Sequence, residues 1–383
     1  MKIVSWHPVL TDHQSYTLEA LRQAAACDLK IFVADKEHSD RKTQGWTNPH
    51  ALSMPTTLIP RKSWHSFVFQ QLSQNRNAVH FFGSPFEQPR MIITLLMALF
   101  MGIKVYLISE PYSPISVGYQ DDRHRWVDWI KGKLRPVVYR IYGIILCRRV
   151  AGVFAISPLA VTQYRRLGIP RKKIFPFGYF VPYSDADCSI IATSENHRGA
   201  CFNLVFVGTL ISRKGLDVLI RAVRNLLAEG AAISLDVYGS GDTSLYDFDS
   251  SSIRYLGAIP FGCAQAVIEN YDLFVLPSRY DGWGVVVNEA LMVGVPVVCS
   301  SAVGAAAMVK KWACGSVFES ENVSELELSI SAVATNPELL AGMRANAKRA
   351  AASLQPSVAG GYMAAAIASH SDDITYGCPW YEC

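Results

Sequence analysis

Short apolar segments, each followed by a stretch of helical periodicity, recur along almost the whole chain, and this alternation limits the fold more than any other feature. In the first half the strand-like segments are Lys2–Trp6, Leu29–Ala34, Ala78–Phe82, Lys104–Ser109, Gly152–Ser157 and Lys173–Phe177. Helical stretches such as Tyr16–Ala26 and Arg90–Met101 lie between them. Continuous apolar runs are what strands buried on both faces show, and strand–helix alternation builds parallel sheets with helices on both sides. Residues 182–200 break the pattern with polar residues, Pro and Gly, and read as a linker. The alternation restarts with strands at Phe202–Val207, Ile233–Tyr238, Ile253–Leu256, Asp272–Leu276 and Val295–Cys299. Helices are expected at Gly215–Ala228, Cys263–Asn270, Val286–Met292, Val323–Ala334 and Pro337–Ser353. The chain thus divides into α/β domains over 1–181 and 201–355, a helix over 356–370 able to pack back on the first domain, and a loose tail over 371–383. Two such units enclose a cleft walled by strand C-terminal ends, where open α/β sheets bind ligands.

Bulk properties exclude several classes. The 383 residues exceed one ordinary core, and a hydrophobic content of 50% argues against extensive disorder. A net charge of +4 is too small to point to nucleic acid. The nine cysteines are scattered without a C-x-x-C, which argues against a zinc site or a disulfide framework and fits a reducing cytosol. The segment MKIVSWHPVL enters a strand without the apolar stretch and cleavage site of a signal peptide. The apolar run Met91–Ile103 is too short to span a bilayer.

The chemistry concentrates in PSRYDGWGVVVNEALMVGVPVV, from Pro277 onward. A buried strand ends at Pro277-Ser278, a turn follows at Asp281-Gly282-Trp283-Gly284, and a helix begins near Val285 and stops at Gly294. Glycines let backbone N–H groups approach an anion, and the helix dipole favours its charge. Glu289, one turn into the helix, is an acceptor suited to two ribose hydroxyls. In FVGTLISRKGLDVLI, a strand ends at Gly208-Thr209, and Arg213-Lys214 precede a helix. A guanidinium fork beside an ammonium can neutralise a diphosphate. Weaker signals are the strand-end glycines Gly239 and Gly241 and the loop Gly257-Ala258-Ile259.

The Pro277 run resembles glycosyltransferase family 4, the retaining enzymes of the GT-B fold, whose signature is a Pro-Ser strand end, Glu-Gly-Phe-Gly, a second Glu eight positions after the first, and Gly-x-Pro-Val. Here the pair is Asp281 and Glu289, with Gly294-Val295-Pro296-Val297 after it. The resemblance implies that Glu289 holds the nucleotide ribose, that Asp281 lies near the donor sugar, and that Arg213 and Lys214 clamp the phosphates. It further implies donor contacts from Gly208, Thr209, Gly239, Gly241, Ala258, Ile259, Gly282, Trp283, Gly284 and Val285. Two departures stand out. Asp281 replaces a Glu, which sets the carboxylate back by about 1.5 Å, and Thr209 stands where relatives often have Arg.

The first domain resembles the family less. The segment after its first strand, Trp6 to Gln14, has none of the paired glycines common there. His13, His80 and Glu110 are the acceptor-side candidates; the latter two, in VHFFG and LISEP, read as strand-end residues facing the cleft. Arg123, Arg125, Lys131, Lys133, Arg135, Arg140, Arg148 and Arg149 are interleaved with Trp126, Trp129, Tyr139 and Tyr142, a composition suited to an anionic membrane surface.

The expectation is a GT-B enzyme that moves a sugar from a UDP- or GDP-linked donor to a glycan or lipid-linked hydroxyl, in the cytoplasm at the inner membrane face. No cofactor and no metal are expected, because Arg213 and Lys214 supply the positive charge. Two rivals remain. One is a metal-dependent transferase using Asp185-Ala186-Asp187 or Asp247-Phe248-Asp249, strings that follow no apolar strand directly. The other is a sugar-nucleotide-binding module without catalysis. An NAD oxidoreductase would need a glycine fingerprint the chain lacks.

Overall fold

A computed structural model describes residues 1–36, 49–112, 125–184, 201–248, 251–260, 262–368 and 377–382. The first domain is a seven-stranded sheet in the order β3-β2-β1-β4-β5-β6-β7. Its strands are β1 (Lys2–His7), β2 (Asp28–Val33), β3 (Thr56–Leu58), β4 (Val79–Gly83), β5 (Lys104–Ser109), β6 (Gly152–Ile156) and β7 (Ile174–Phe177). The helices are α1 (Asp12–Ala24), α2 (Pro49–Ser53), α3 (Trp64–Gln74), α4 (Pro89–Phe100), α5 (Arg125–Arg149) and α6 (Ser157–Arg166). All pairings are parallel, so every strand ends on the same edge.

The second domain repeats this plan with the order β10-β9-β8-β11-β12-β13, again all parallel. Its strands are β8 (Phe202–Val207), β9 (Ile233–Tyr238), β10 (Ile253–Tyr255), β11 (Leu273–Leu276), β12 (Val297–Ser300) and β13 (Gly315–Phe318). Its helices are α7 (Leu216–Ala228), α8 (Ala264–Ile268), α9 (Val285–Met292), α10 (Ala306–Trp312), α11 (Val323–Ala334) and α12 (Pro337–Ala351). In both sheets the winding reverses beside the first strand, between β1 and β4 and between β8 and β11, which opens a crevice at those strand ends.

The domains touch through these same ends. The buried Tyr280 hydroxyl donates to the Pro111 carbonyl at 2.8 Å, and Gly304 leaves room for the Ser157 side chain, 2.7 Å from where a Cβ would stand. Helix α13 (Pro356–Ala368) crosses back to α1, where Gly360 leaves room for the Ala20 backbone, a side chain's Cβ coming within 2.4 Å of it.

Three features depart from the sequence expectations. The edge strands β3 and β13 escape the pattern because they are short and largely unburied. Cys263 is disulfide-bonded; the other described cysteines are free, so its partner lies outside the described residues. The final segment is not loose over residues 377–382: Trp380 and Tyr381 are fully buried. The Tyr381 hydroxyl accepts from the Phe177 N–H at 3.0 Å and donates to its carbonyl at 2.9 Å. Trp380 packs on Phe180 with centroids 4.5 Å apart and donates to the Ser353 carbonyl. This strap fastens the end of the first sheet to the second domain. Trp380→Ala is expected to cost about 3–5 kcal/mol by cavity formation, measured by urea unfolding; a loss below about 1 kcal/mol would contradict the packing described.

Candidate active site at the crevice of the second sheet

The β8 and β11 ends bring the two motif regions together. After β8 the chain makes a short turn, Ser212–Lys214, and enters α7 through Gly215, whose φ is +69° and whose missing side chain lets the Pro277 carbonyl approach. After β11 it passes through Asp281–Gly284 into α9. The turns meet at one carboxylate. Asp281 accepts a hydrogen bond from Lys214 Nζ at 2.6 Å and lies 4.0 Å from Arg213 Nη1. Burial alone would push the Asp281 carboxyl up; Lys214 and Arg213 outweigh it and hold it below the usual range. Arg213 also donates to the Tyr280 carbonyl at 2.9 Å.

Arg279, which sequence reasoning passed over, holds this turn in place. Its guanidinium donates to the Ser212 carbonyl at 2.6 Å and forks onto Asp217 at 2.8 and 2.7 Å, and its backbone N–H donates to the Arg213 carbonyl. The available signal was its position, directly after the Pro-Ser strand end. On the other flank, the Asp281 N–H donates to the Ala302 carbonyl and the Gly304 N–H returns to the Asp281 carbonyl. The turn is therefore held from both sides.

Helix α9 points its N-terminus at this turn; the Val287 N–H bonds the Gly284 carbonyl at 2.9 Å, and the N–H of Val285, the first helical residue, precedes any acceptor the helix itself can offer. Glu289 follows one turn later, half-buried at the cleft wall. Burial pushes its carboxyl up to about 7, with no compensating hydrogen bond. A lip closes the far side: the Leu210 N–H donates to the Ser240 carbonyl, and the Gly239 N–H to the Gly257 carbonyl. Gly208, Thr209, Gly239, Gly241, Ala258 and Ile259 are thus gathered at adjoining strand ends. Trp283 differs from the rest of its turn. Its indole is buried, lies tilted against Phe180 with centroids 6.3 Å apart and donates to Asn288 Oδ1 at 3.0 Å; Asn288 in turn donates to the Tyr179 carbonyl. Only its backbone faces the turn, where its N–H bonds the Asp281 carboxylate.

The first-domain candidates separate. Glu110 is exposed and lies over Gly282: a Cβ there would come within 2.5 Å of its Oε2. The carboxylate therefore sits against the Asp281–Gly284 turn of the second domain. His13 bonds Thr11 Oγ1 at 2.9 Å, beside the cleft. Asp12 is buried and accepts the Ala51 N–H, capping α2. His80 is a correction. It is the second residue of β4, remote from the cleft edge, and fully buried. Its Nδ1 accepts from Trp6 Nε1 and its Nε2 faces the Asn75 carbonyl at 3.0 Å, and burial lowers its pKa, so it is a neutral core histidine. The histidine at a strand end is His7, buried against Gly83 and held down to about 4 by desolvation. Of the D-x-D strings, Asp185–Asp187 and Asp249 lie outside the described residues; Asp247 pairs with Arg224 on the surface.

The Asp281 carboxylate fills the place an anionic ligand of Lys214 and Arg213 would take. Asp281→Ala is expected to destabilise the fold by about 3 kcal/mol, since it strands two shielded cations. Pyrophosphate should raise the melting temperature of this variant more than that of the unaltered protein. Equal shifts in a thermal scan would show that the pair does not bind anions.

Residues 193–350 match the family of glycosyl transferases group 1. An uncharacterised glycosyltransferase of Methanocaldococcus jannaschii is 33% identical over 28% of this chain and 29% of its own length. The putative colanic acid biosynthesis glycosyltransferase WcaL of Salmonella typhimurium is 28% identical over 40% of each. The matches to these curated relatives thus span less than half of their length. The Anabaena protein HepE, in a crystal structure with UDP and glucose, superposes over 97% of this chain and 100% of its own with a TM-score of 0.66, at 14% identity. The chain has the GT-B fold, and residues 193–350 within it match the glycosyl transferases group 1 family.

Proposed function

We propose that the protein transfers a sugar from a nucleoside diphosphate donor, UDP- or GDP-linked, to a hydroxyl of a glycan or lipid-linked acceptor, with retention at the anomeric carbon. The observation that carries this reading is the meeting of Arg213, Lys214 and the α9 N-terminus around one carboxylate at the sheet's crevice. In this reading the diphosphate takes over Lys214 and Arg213 from Asp281, and the freed carboxylate turns to the sugar hydroxyls. As the glycosidic C–O bond breaks, the two cations and the α9 amides stabilise the negative charge growing on the phosphate oxygen. The acceptor hydroxyl gives its proton to that oxygen as its own oxygen bonds the anomeric carbon. Glu289 accepts the ribose hydroxyls, and Glu110, over Gly282, faces the transferred sugar. The bound UDP and glucose of HepE, which shares the fold, support the choice of donor class. Retention rests on the family 4 signature around Asp281 and Glu289.

Glu289→Ala and Lys214→Ala are each expected to weaken binding of the best nucleotide sugar at least about tenfold, or 1.4 kcal/mol, without unfolding the chain. Titration calorimetry decides this, and unchanged affinity in both variants removes the donor site. Glu289 adds a pH signature. Its carboxyl is largely protonated below about 7 and must ionise to accept two hydroxyls, so affinity should rise from pH 6 to 8 with proton release. A nucleotide sugar has no titrating phosphate in that range, so a flat profile that Glu289→Gln leaves unchanged, at unchanged affinity, would exclude Glu289 as the ribose acceptor.

The positive charge at the leaving group comes from side chains and a helix end, and we propose that turnover needs no divalent metal. Activity should persist in excess chelator. Its loss, with recovery on adding Mn²⁺, would favour a D-x-D mechanism.

A further inference from the structure

Helix α5 carries its apolar residues on the wrong side for a water-soluble surface. Its inner face is packed: Leu146 is buried, Gly143 abuts the Leu167 carbonyl, and the Tyr142 ring lies 5.1 Å from that of Phe86. The opposite face bears Leu134, Val137, Val138, Ile141 and Ile144, exposed by 55, 58, 41, 54 and 68%. Their spacing of one, three and four residues sets them in one stripe, about 120° wide at 100° per residue. At the end of the helix the Arg149 guanidinium sits 4.5 Å from the ring of Phe100, itself 66% exposed, which adds an aromatic group beside the stripe.

The charges around the stripe select its partner. From Lys131 to Arg149 the sequence contains Lys131, Lys133, Arg135, Arg140, Arg148 and Arg149 and not one Asp or Glu. The side chains of Arg140, Arg148 and Arg149 are exposed. Two copies of such a face would bring like charges together, whereas an anionic bilayer offers headgroups to the cations and acyl chains to the stripe. No described helix is long and apolar enough to cross a membrane. We infer that α5 lies in the plane of an anionic membrane leaflet, with its aliphatic stripe inserted at the headgroup boundary and its arginines on lipid phosphates.

This assignment differs from a purely electrostatic contact, because inserted aliphatic side chains go on holding the protein when salt screens the charges. The helix stands between β5, whose end lies at the cleft, and β6, so a membrane-bound α5 keeps the first domain on the surface that carries a lipid-linked acceptor. Only this consequence, access to a lipid-linked acceptor, rests on the glycosyltransferase reading; the membrane contact does not.

The test is flotation of the full chain with phosphatidylglycerol–phosphatidylcholine vesicles and with phosphatidylcholine vesicles, at 0.05 and 0.5 M NaCl. The protein should float with the anionic vesicles and retain part of its binding at high salt. Val137→Ser, Ile141→Ser and Ile144→Ser combined should lower the partition coefficient about a hundredfold, from the loss of buried aliphatic area. The same variant should keep its nucleotide affinity, which separates a lost membrane face from a misfolded chain or a failed donor site. The proposal is overturned if the protein stays in the supernatant with anionic vesicles at low salt, or if the triple variant floats as before. Equal binding to neutral vesicles overturns the anionic assignment. A dimer in light scattering that the triple variant converts to monomer makes the stripe an interface between copies.

Discussion

A single carboxylate with little access to water ties together the two segments on which the crevice depends. Asp281 can stay ionised there only because Lys214 and Arg213 face it, and those cations can be shielded only because it faces them. The mutual requirement sets the position of both turns, one after β8 and one after β11. Arg279 and the loop after β12 then hold them from outside. In the proposed reaction the two cations already stand in position when the diphosphate takes them over from Asp281. It also makes the shorter Asp at this position intelligible, since a carboxylate placed further back sits against Lys214.

The fold was largely legible in the sequence because its strands are buried on both faces. Segments such as Lys104–Ser109 and Phe202–Val207 carry continuous apolar runs, and their ends agree with the structure. β3 was not legible, since all three of its residues are exposed and no core demands them. Histidine positions show a different limit. VHFFG contains a strand, but nothing in it says that the histidine enters at the buried beginning of β4; His7, at the end of β1, gave no signal because its surroundings come from Gly83, far along the chain.

The donor-side residues were readable because they are local: a strand end, a turn and a helix start occupy consecutive positions. What could not be read was their reach across the cleft. Glu110 and Gly282 are separated by the end of the first domain, the linker and the first half of the second domain, and only the packing of two sheets brings them together. Helix α5 shows a different ambiguity of pattern. A period of three and four residues ordinarily marks the side that faces the core, and here part of that period faces outward.

The strap formed by Trp380 and Tyr381 has a consequence for how the protein is made. Tyr381 completes the backbone hydrogen bonding of Phe177, 204 residues before it. A ribosome adds residues at roughly 5–20 per second, so the first domain is synthesised many seconds before the ring that covers its last strand is available. During that interval Phe177 and Phe180 stand uncovered, and the nascent chain presents an aromatic surface that a chaperone can hold. A nonsense codon between α13 and Tyr381 would therefore release a chain with both sheets, joined by α13 on α1 and by the Tyr280–Pro111 contact but without the aromatic strap.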